Sequence, residues 1–169
     1  PQQVSSAASD VYKRQATADT GVEGTNITAT AINGATCSAE GMVFDGSDDY
    51  VDVTPWPFGG AMTVEAYVKY DAFNSWGRVF GFGDADYTDL VWSANKQYSG
   101  SARFWVRLAS TSSELYVDSD STTFFEVDVW AHIVYTINDT TMIMYKDGVE
   151  DNRNPSGQEP RELERELHY

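Results

Sequence analysis

The segment Met62-Thr63-Val64-Glu65-Ala66-Tyr67-Val68-Lys69-Tyr70 alternates apolar and polar side chains without a break. Successive side chains of a strand point to opposite faces. Met62, Val64, Ala66, Val68 and Tyr70 therefore share one face, and Thr63, Glu65, Tyr67 and Lys69 share the other. A period of two predicts a strand that is buried on one face only. Such a strand needs a second layer to cover its apolar face, so this segment commits the chain to at least two packed layers.

The rest of the chain supplies candidates for those layers. Gly41–Asp45 and Tyr50–Val53 read as short strands around the turn Asp45-Gly46-Ser47-Asp48-Asp49. Further strands are predicted at Arg78–Gly83, Asp89–Ser93, Ala102–Leu108, Glu114–Val117 and Thr123–Val127. The intervening segments carry Gly, Ser, Asn and Asp, the residues of tight turns. The sharpest hairpin signal joins Trp130–Ile137 to Thr141–Lys146 through Asn138-Asp139, and Asp147-Gly148 makes another tight turn. Gly46 and Gly148 supply the backbone freedom those turns need. Short strands at this spacing predict an all-β, antiparallel sandwich or barrel. Leu163 and Leu167 stand four apart in Arg161–Leu167, which predicts a short helix there.

Composition narrows the partners. Aromatic residues make up 14% of the chain, which favours strands. The net charge of −15 repels nucleic acid and anionic membranes and suits cations, neutral sugars or basic proteins. No apolar run approaches the roughly 18 residues of a membrane-spanning helix, so no membrane insertion by this segment is expected. Cys37 is the single cysteine and cannot form an internal disulfide; it reads as an inert, buried thiol or as one half of a bridge to another segment. Two N-x-S/T acceptor sequences, at Asn26 and Asn138, are compatible with secretion. Residues 1–18 show no strand or helix period and are read as a disordered or artefactual tract, leaving 19–169 as the folded domain.

Four segments together resemble a known family. Gly41–Val53 is similar to the opening strands of laminin-G-like, concanavalin-A-like jelly-roll domains, and Met62–Lys69 to their next core strand. Trp130-Ala131-His132-Ile133-Val134-Tyr135-Thr136-Ile137 resembles the family's Trp-x-His strand, and Met142–Gly148 the strand and turn after it. The resemblance runs over about residues 20–169 and implies a two-sheet antiparallel jelly roll in a secreted or cell-surface protein, binding glycans or extracellular proteins. Trp130 is expected in its core, and His132 as a partly buried structural residue. It also implies further strands after Tyr169. The sandwich is thus expected to be incomplete at its C-terminus and marginally stable.

Relatives on this fold that cleave glucans carry three acids on one strand, in the pattern Glu-x-Asp-x-Glu or Glu-x-Asp-x-x-Glu. Here Glu126-Val127-Asp128 is followed by Val129-Trp130-Ala131, so the third acid is missing. A retaining glycosidase needs two carboxyl groups flanking the scissile bond. Glu126 and Asp128 are therefore read as solvated residues, and the chain as a non-catalytic recognition module, with a glycoside hydrolase of the same fold and a ligand-free structural spacer as the alternatives.

Two polar constellations remain. Asp84, Asp86 and Asp89 place three carboxylates within six residues, and Asp45, Asp48 and Asp49 form another group. Hard oxygen donors in loops suit calcium, which the resemblance also implies; solvated turn acids are the alternative. On Arg103–Leu108, Phe104, Val106 and Leu108 alternate with Arg103, Trp105 and Arg107. If the first set is core, Trp105 flanked by two arginines lies on an outer sheet face, where an indole can stack on a sugar ring. The alternative is that a loop covers Trp105 while the arginines neutralise nearby acids.

Overall fold

The structure, a computed structural model, describes residues 29–83, 90–108, 113–161 and 163–167. All elements among them are strands, and the chain divides into two compact units, Pro1–Trp56 and Pro57–Tyr169.

In the first unit, β1 (Ala29–Ile32), β2 (Thr36–Cys37), β3 (Met42–Val43) and β4 (Tyr50–Val53) form two short antiparallel ribbons. β1 pairs with β4 from Ala29↔Val53 to Ile32↔Tyr50, and β2 pairs with β3. The segments around the Asp45–Asp49 turn are thus strands, as expected, but each is paired with an earlier strand. The turn between them is closed by side chains instead. Asp45 N–H donates to Asp49 Oδ2 at 2.8 Å, and Ser47 N–H donates to Asp45 Oδ1 at 2.7 Å. Short acidic side chains compete in this way with ladder hydrogen bonds. Cys37 is exposed rather than buried, with its Sγ 3.3 Å from Met42 Sδ.

The second unit is a sandwich of two antiparallel sheets. β5 (Trp56–Phe58), at whose first residue the division falls, is an outer strand of the larger sheet. β6 (Met62–Val68) shows strict alternation of half-buried and exposed residues, as its sequence requires. Then follow β7 (Arg78–Gly83), β8 (Leu90–Asn95), β9 (Ala102–Leu108) and β10 (Ser113–Asp118), joined as a meander. β11 (Ala131–Asn138), β12 (Thr141–Lys146) and β13 (Val149–Asn154) form a second meander, and β14 (Leu163–Leu167) returns to pair with β7. The larger sheet has the order β10-β9-β8-β7-β14-β5, and the smaller the order β13-β12-β11-β6. The β12–β13 turn has Asp147 at φ 51° and Gly148 at φ 79°, the paired positive values of a tight hairpin turn.

The two inner faces share one core. Phe80, Val91, Phe104, Val106 and Leu108 come from the larger sheet; Ala131, Ile133, Tyr135, Ile137, Met142 and Met144 come from the smaller. Tyr135 bridges the layers, its ring 5.2 Å from Phe104 and 5.8 Å from Phe80. At one side the sheets are stitched by amides. Asn152 Nδ2 of β13 donates to Asp118 O of β10 at 3.0 Å, and Asn154 Nδ2 donates to Tyr116 O at 2.7 Å. Carbonyls on the open side of β10 are thereby satisfied, which blunts an edge that would otherwise recruit another strand.

Three sequence expectations are corrected. Thr123–Val127 is not a strand but a turn, in which consecutive Phe124 and Phe125 are both buried. Two adjacent side chains cannot both enter the core from a regular strand. Phe125 N–H donates to Gly100 O at 2.7 Å, and a Cβ at Gly100 would lie 2.1 Å from Phe125 O, so this approach admits only glycine. Residues 163–167 form β14 rather than a helix, with Glu166↔Gly83 and Leu167↔Phe82 in register. Ladder bonds to β7 outweigh the weak helical preference of so short a segment. Trp130 lies outside the core cluster and stacks on Tyr67 instead.

Candidate functional site

The outer face of the larger sheet carries the densest aromatic cluster among the described residues outside the core. Its construction follows from strand parity. On β9, Phe104, Val106 and Leu108 point into the core, which sends Arg103, Trp105 and Arg107 outward. The ladders place Trp92 of β8 and Tyr116 of β10 directly opposite Trp105 on either side, and Asp118 opposite Arg103. Trp92 and Trp105 stack with ring centroids 3.6 Å apart and planes 11° from parallel.

A loop residue completes the cluster. Trp76, at φ 60°, brings its ring to 5.1 Å from Trp105 and 6.5 Å from Trp92. The loop is held by Asn95, a fully buried residue at the end of β8. Asn95 Nδ2 donates to Asn74 O at 2.8 Å and reaches Ser99 O at 3.2 Å and Gln97 O, while its N–H donates to Gly77 O at 3.1 Å. Tyr70 Oη also donates to Gly77 O, at 2.9 Å. Burial pushes the Tyr70 phenol well above its ordinary value, so the hydroxyl remains a donor.

Of the two arrangements open for Trp105, the chain adopts the covered one. Trp105 is only 4% exposed beneath Trp92 and Trp76, and its Nε1 has no hydrogen-bond partner among the described residues. The surface that faces solvent is made by half-buried Trp76 and Trp92 and by Tyr116, which is 42% exposed. Trp92 was legible in principle, because it has outward parity on a strand. Trp76 was not, because it belongs to a loop without a period.

Cations edge the aromatic surface. Arg78 lies 4.9 Å over Trp92, and Arg103 lies 3.9 Å over Tyr116 and 5.1 Å over Trp105. Arg103 is fixed by Asp118, with Nη2 donating to Oδ2 at 2.7 Å and Nε to Oδ1; Lys96 Nζ donates to Oδ2 at 2.7 Å. Burial works to raise the Asp118 carboxyl, but the Arg103 and Lys96 hydrogen bonds outweigh it and hold the carboxyl below its ordinary value. The bond to Asp118 likewise keeps Arg103 protonated. Arg107 is exposed, across the ladder from Glu114.

Asp84, Asp86 and Asp89 lie outside the described residues. Asp45, Asp48 and Asp49, in the first unit, come together with one carboxylate oxygen of each within 4.8 Å of the others. Glu126 and Asp128 are exposed; Glu126 Oε1 accepts from Lys146 Nζ at 3.3 Å, and Asp128 sits in a turn at φ 62°.

Comparison with known proteins agrees with this architecture. Domain 4 of AbnA, a GH43 extracellular arabinanase from Geobacillus stearothermophilus solved with arabinotriose, superposes with a TM-score of 0.64 at 13% identity, over 92% of this chain and 79% of that one. The carbohydrate-binding module CBM66 from Bacillus subtilis superposes with a TM-score of 0.52 at 15% identity, over 82% of this chain and 85% of that one. At these identities the likeness is one of fold. No curated protein sequence matches the chain. The family profile described as "Concanavalin A-like lectin/glucanases superfamily" matches residues 45–167, and the chain belongs to that laminin-G-like family.

Proposed function

We propose that the chain is a non-catalytic, extracellular recognition module that binds neutral glycans on the outer face of its larger sheet. The carrying observation is the Trp92–Trp105 stack, capped by Trp76 and flanked by Tyr116. Half-buried Trp76 and Trp92 and exposed Tyr116 offer aromatic surface to the C–H face of a sugar ring, with Arg78 over Trp92 and Arg103 over Tyr116 as adjoining donors, while Trp105 is the buried indole on which Trp92 stacks. Arg103, oriented by Asp118, and Arg107 stand beside them as hydroxyl donors. A strongly acidic chain favours neutral over anionic glycans. Two similar folds, a carbohydrate-binding module and an arabinanase domain solved with arabinotriose, support the same class of ligand. The missing third acid after Asp128 and the engagement of Glu126 by Lys146 support the non-catalytic reading.

Calcium assistance is part of the proposal. Asp84, Asp86 and Asp89 are one candidate set; Asp45, Asp48 and Asp49 are the other. The second set fits a hard cation in its chemistry. Its donors are carboxylates, and the Asp49 Oδ1 atom is buried with no hydrogen-bond partner among the described residues.

The test is calorimetric titration with arabinotriose, xylotriose, cellotriose and mannotriose. At least one trisaccharide is expected to bind, and Trp92→Ala is expected to weaken its binding on this face by about tenfold or more. Absence of binding to all four, or full affinity in Trp92→Ala, would refute the proposal.

A further inference from the structure

The opposite outer face of the sandwich carries a second aromatic surface with a different construction. β6 and β11 are antiparallel neighbours, with His132↔Tyr67 and Val134↔Glu65 in register. Glu65 and Tyr67 point away from the core, and so does His132. The side chains lean diagonally across the ladder. His132 Nε2 meets Glu65 Oε1 at 2.8 Å, and Tyr67 stacks on Trp130 with ring centroids 5.1 Å apart and planes 5° from parallel. Lys69 Nζ lies 5.4 Å from the Trp130 ring centroid.

Tyr67 is 63% exposed although it sits within a strand. Trp130 covers one face of the phenol, so the exposure belongs to its other face and its edge. The ring is held by a strand below and an indole behind, which leaves little rotamer entropy to lose on binding. Beside it stand the phenol oxygen, the Glu65 carboxylate (66% exposed) and the His132 ring (36% exposed). A flat, preoriented aromatic face ringed by donors and acceptors is the chemistry that recognises a neutral sugar ring. Glu65 at its rim, within a chain of net charge −15, disfavours phosphorylated, sulfated or uronic ligands.

We propose that Tyr67, backed by Trp130 and flanked by Glu65 and His132, forms a second binding platform for neutral saccharides on the outer face of the smaller sheet. Its ligand class rests on the glycan reading given above; its location does not depend on the Trp92 face. The two platforms lie on opposite sides of one sandwich, so a single module can engage two glycan chains at once. On an insoluble polysaccharide, two weak sites on one chain give retention greater than either alone.

The four trisaccharides separate the two sites when titrated into the wild-type chain, Tyr67→Ala, Trp92→Ala and the double variant. The expected result is two sites per wild-type chain, one in each single variant and none in the double. Tyr67→Trp is expected to keep the second site, and Tyr67→Ala to weaken it by about tenfold or more. Tyr67 is exposed and its stacking partner is Trp130, so circular dichroism should show Tyr67→Ala still folded, with only a small drop in melting temperature. Wild-type stoichiometry and affinity in Tyr67→Ala would overturn the second platform and leave the first standing. Full affinity in Trp92→Ala, with one site lost in Tyr67→Ala, would overturn the first and leave the second. A wild-type dimer in sedimentation that Tyr67→Ala dissociates would assign this face to self-association instead. No binding by the wild type would overturn both.

Discussion

Trp92 and Trp105 face each other across the β8–β9 ladder with their rings 3.6 Å apart, and Trp105 is 4% exposed while Trp92 remains half open to solvent. One indole is thus foundation and the other surface. Equivalent substitutions at the two positions should therefore have different consequences. Trp105→Ala removes a buried ring and should cost about 3–5 kcal/mol of stability, measured by urea unfolding. Trp92→Ala should be milder on stability and act mainly on glycan affinity.

Asn95 links this face to its loop. Replacing it by Ala leaves the carbonyls of Asn74, Gln97 and Ser99 without their shared amide donor. Loss of stability of about 2 kcal/mol is expected. Near-ultraviolet circular dichroism should also lose tryptophan signal, because the loop no longer holds Trp76 against Trp105. An unchanged aromatic spectrum would show that the Trp76 position does not depend on Asn95.

Acid should weaken the Asp118 cluster. The carboxyl is held below its ordinary value in the folded chain, so its contribution is present at neutral pH, above the unfolded value near 4. That contribution is lost as pH falls from about 4 through the lower folded value. Asp118→Asn should show less loss of melting temperature than wild type over that range. Identical acid profiles for the two chains would refute the assignment.

Calcium, if bound as proposed, should raise the melting temperature of the chain by mass action, and chelator should reverse it. Asp49→Asn together with Asp45→Asn separates the two candidate sets. A calcium effect that survives this pair points to Asp84, Asp86 and Asp89. An identical melting temperature with calcium and with chelator in the wild type would remove calcium from the proposal.

The legible parts of this protein were those in which each residue reports its own surroundings. The alternation of Met62–Val68 predicted β6, and the turn signals predicted the β11–β12 hairpin and its continuation at Asp147-Gly148, because strand parity and positive φ are local constraints. The same parity put Arg103, Trp105 and Arg107 on an outer face. Parity names a face but not what lies over it, so the burial of Trp105 depended on Trp76, a residue 29 positions earlier in a loop without a period.

Failures occurred where distant partners overrode local preference. Leu163 and Leu167 suggest a helical turn, yet the segment pairs with β7, some 80 residues away. Trp130 belongs by its motif to a core strand, but it lies just before β11, where Tyr67 of β6 offers a parallel ring on the surface. The sequence by itself determined which segments are extended and which side of each is apolar, since those depend on side chains two residues apart. Tertiary structure alone decided which aromatics are foundation and which are surface, because burial is a property of neighbours brought together by long-range pairing.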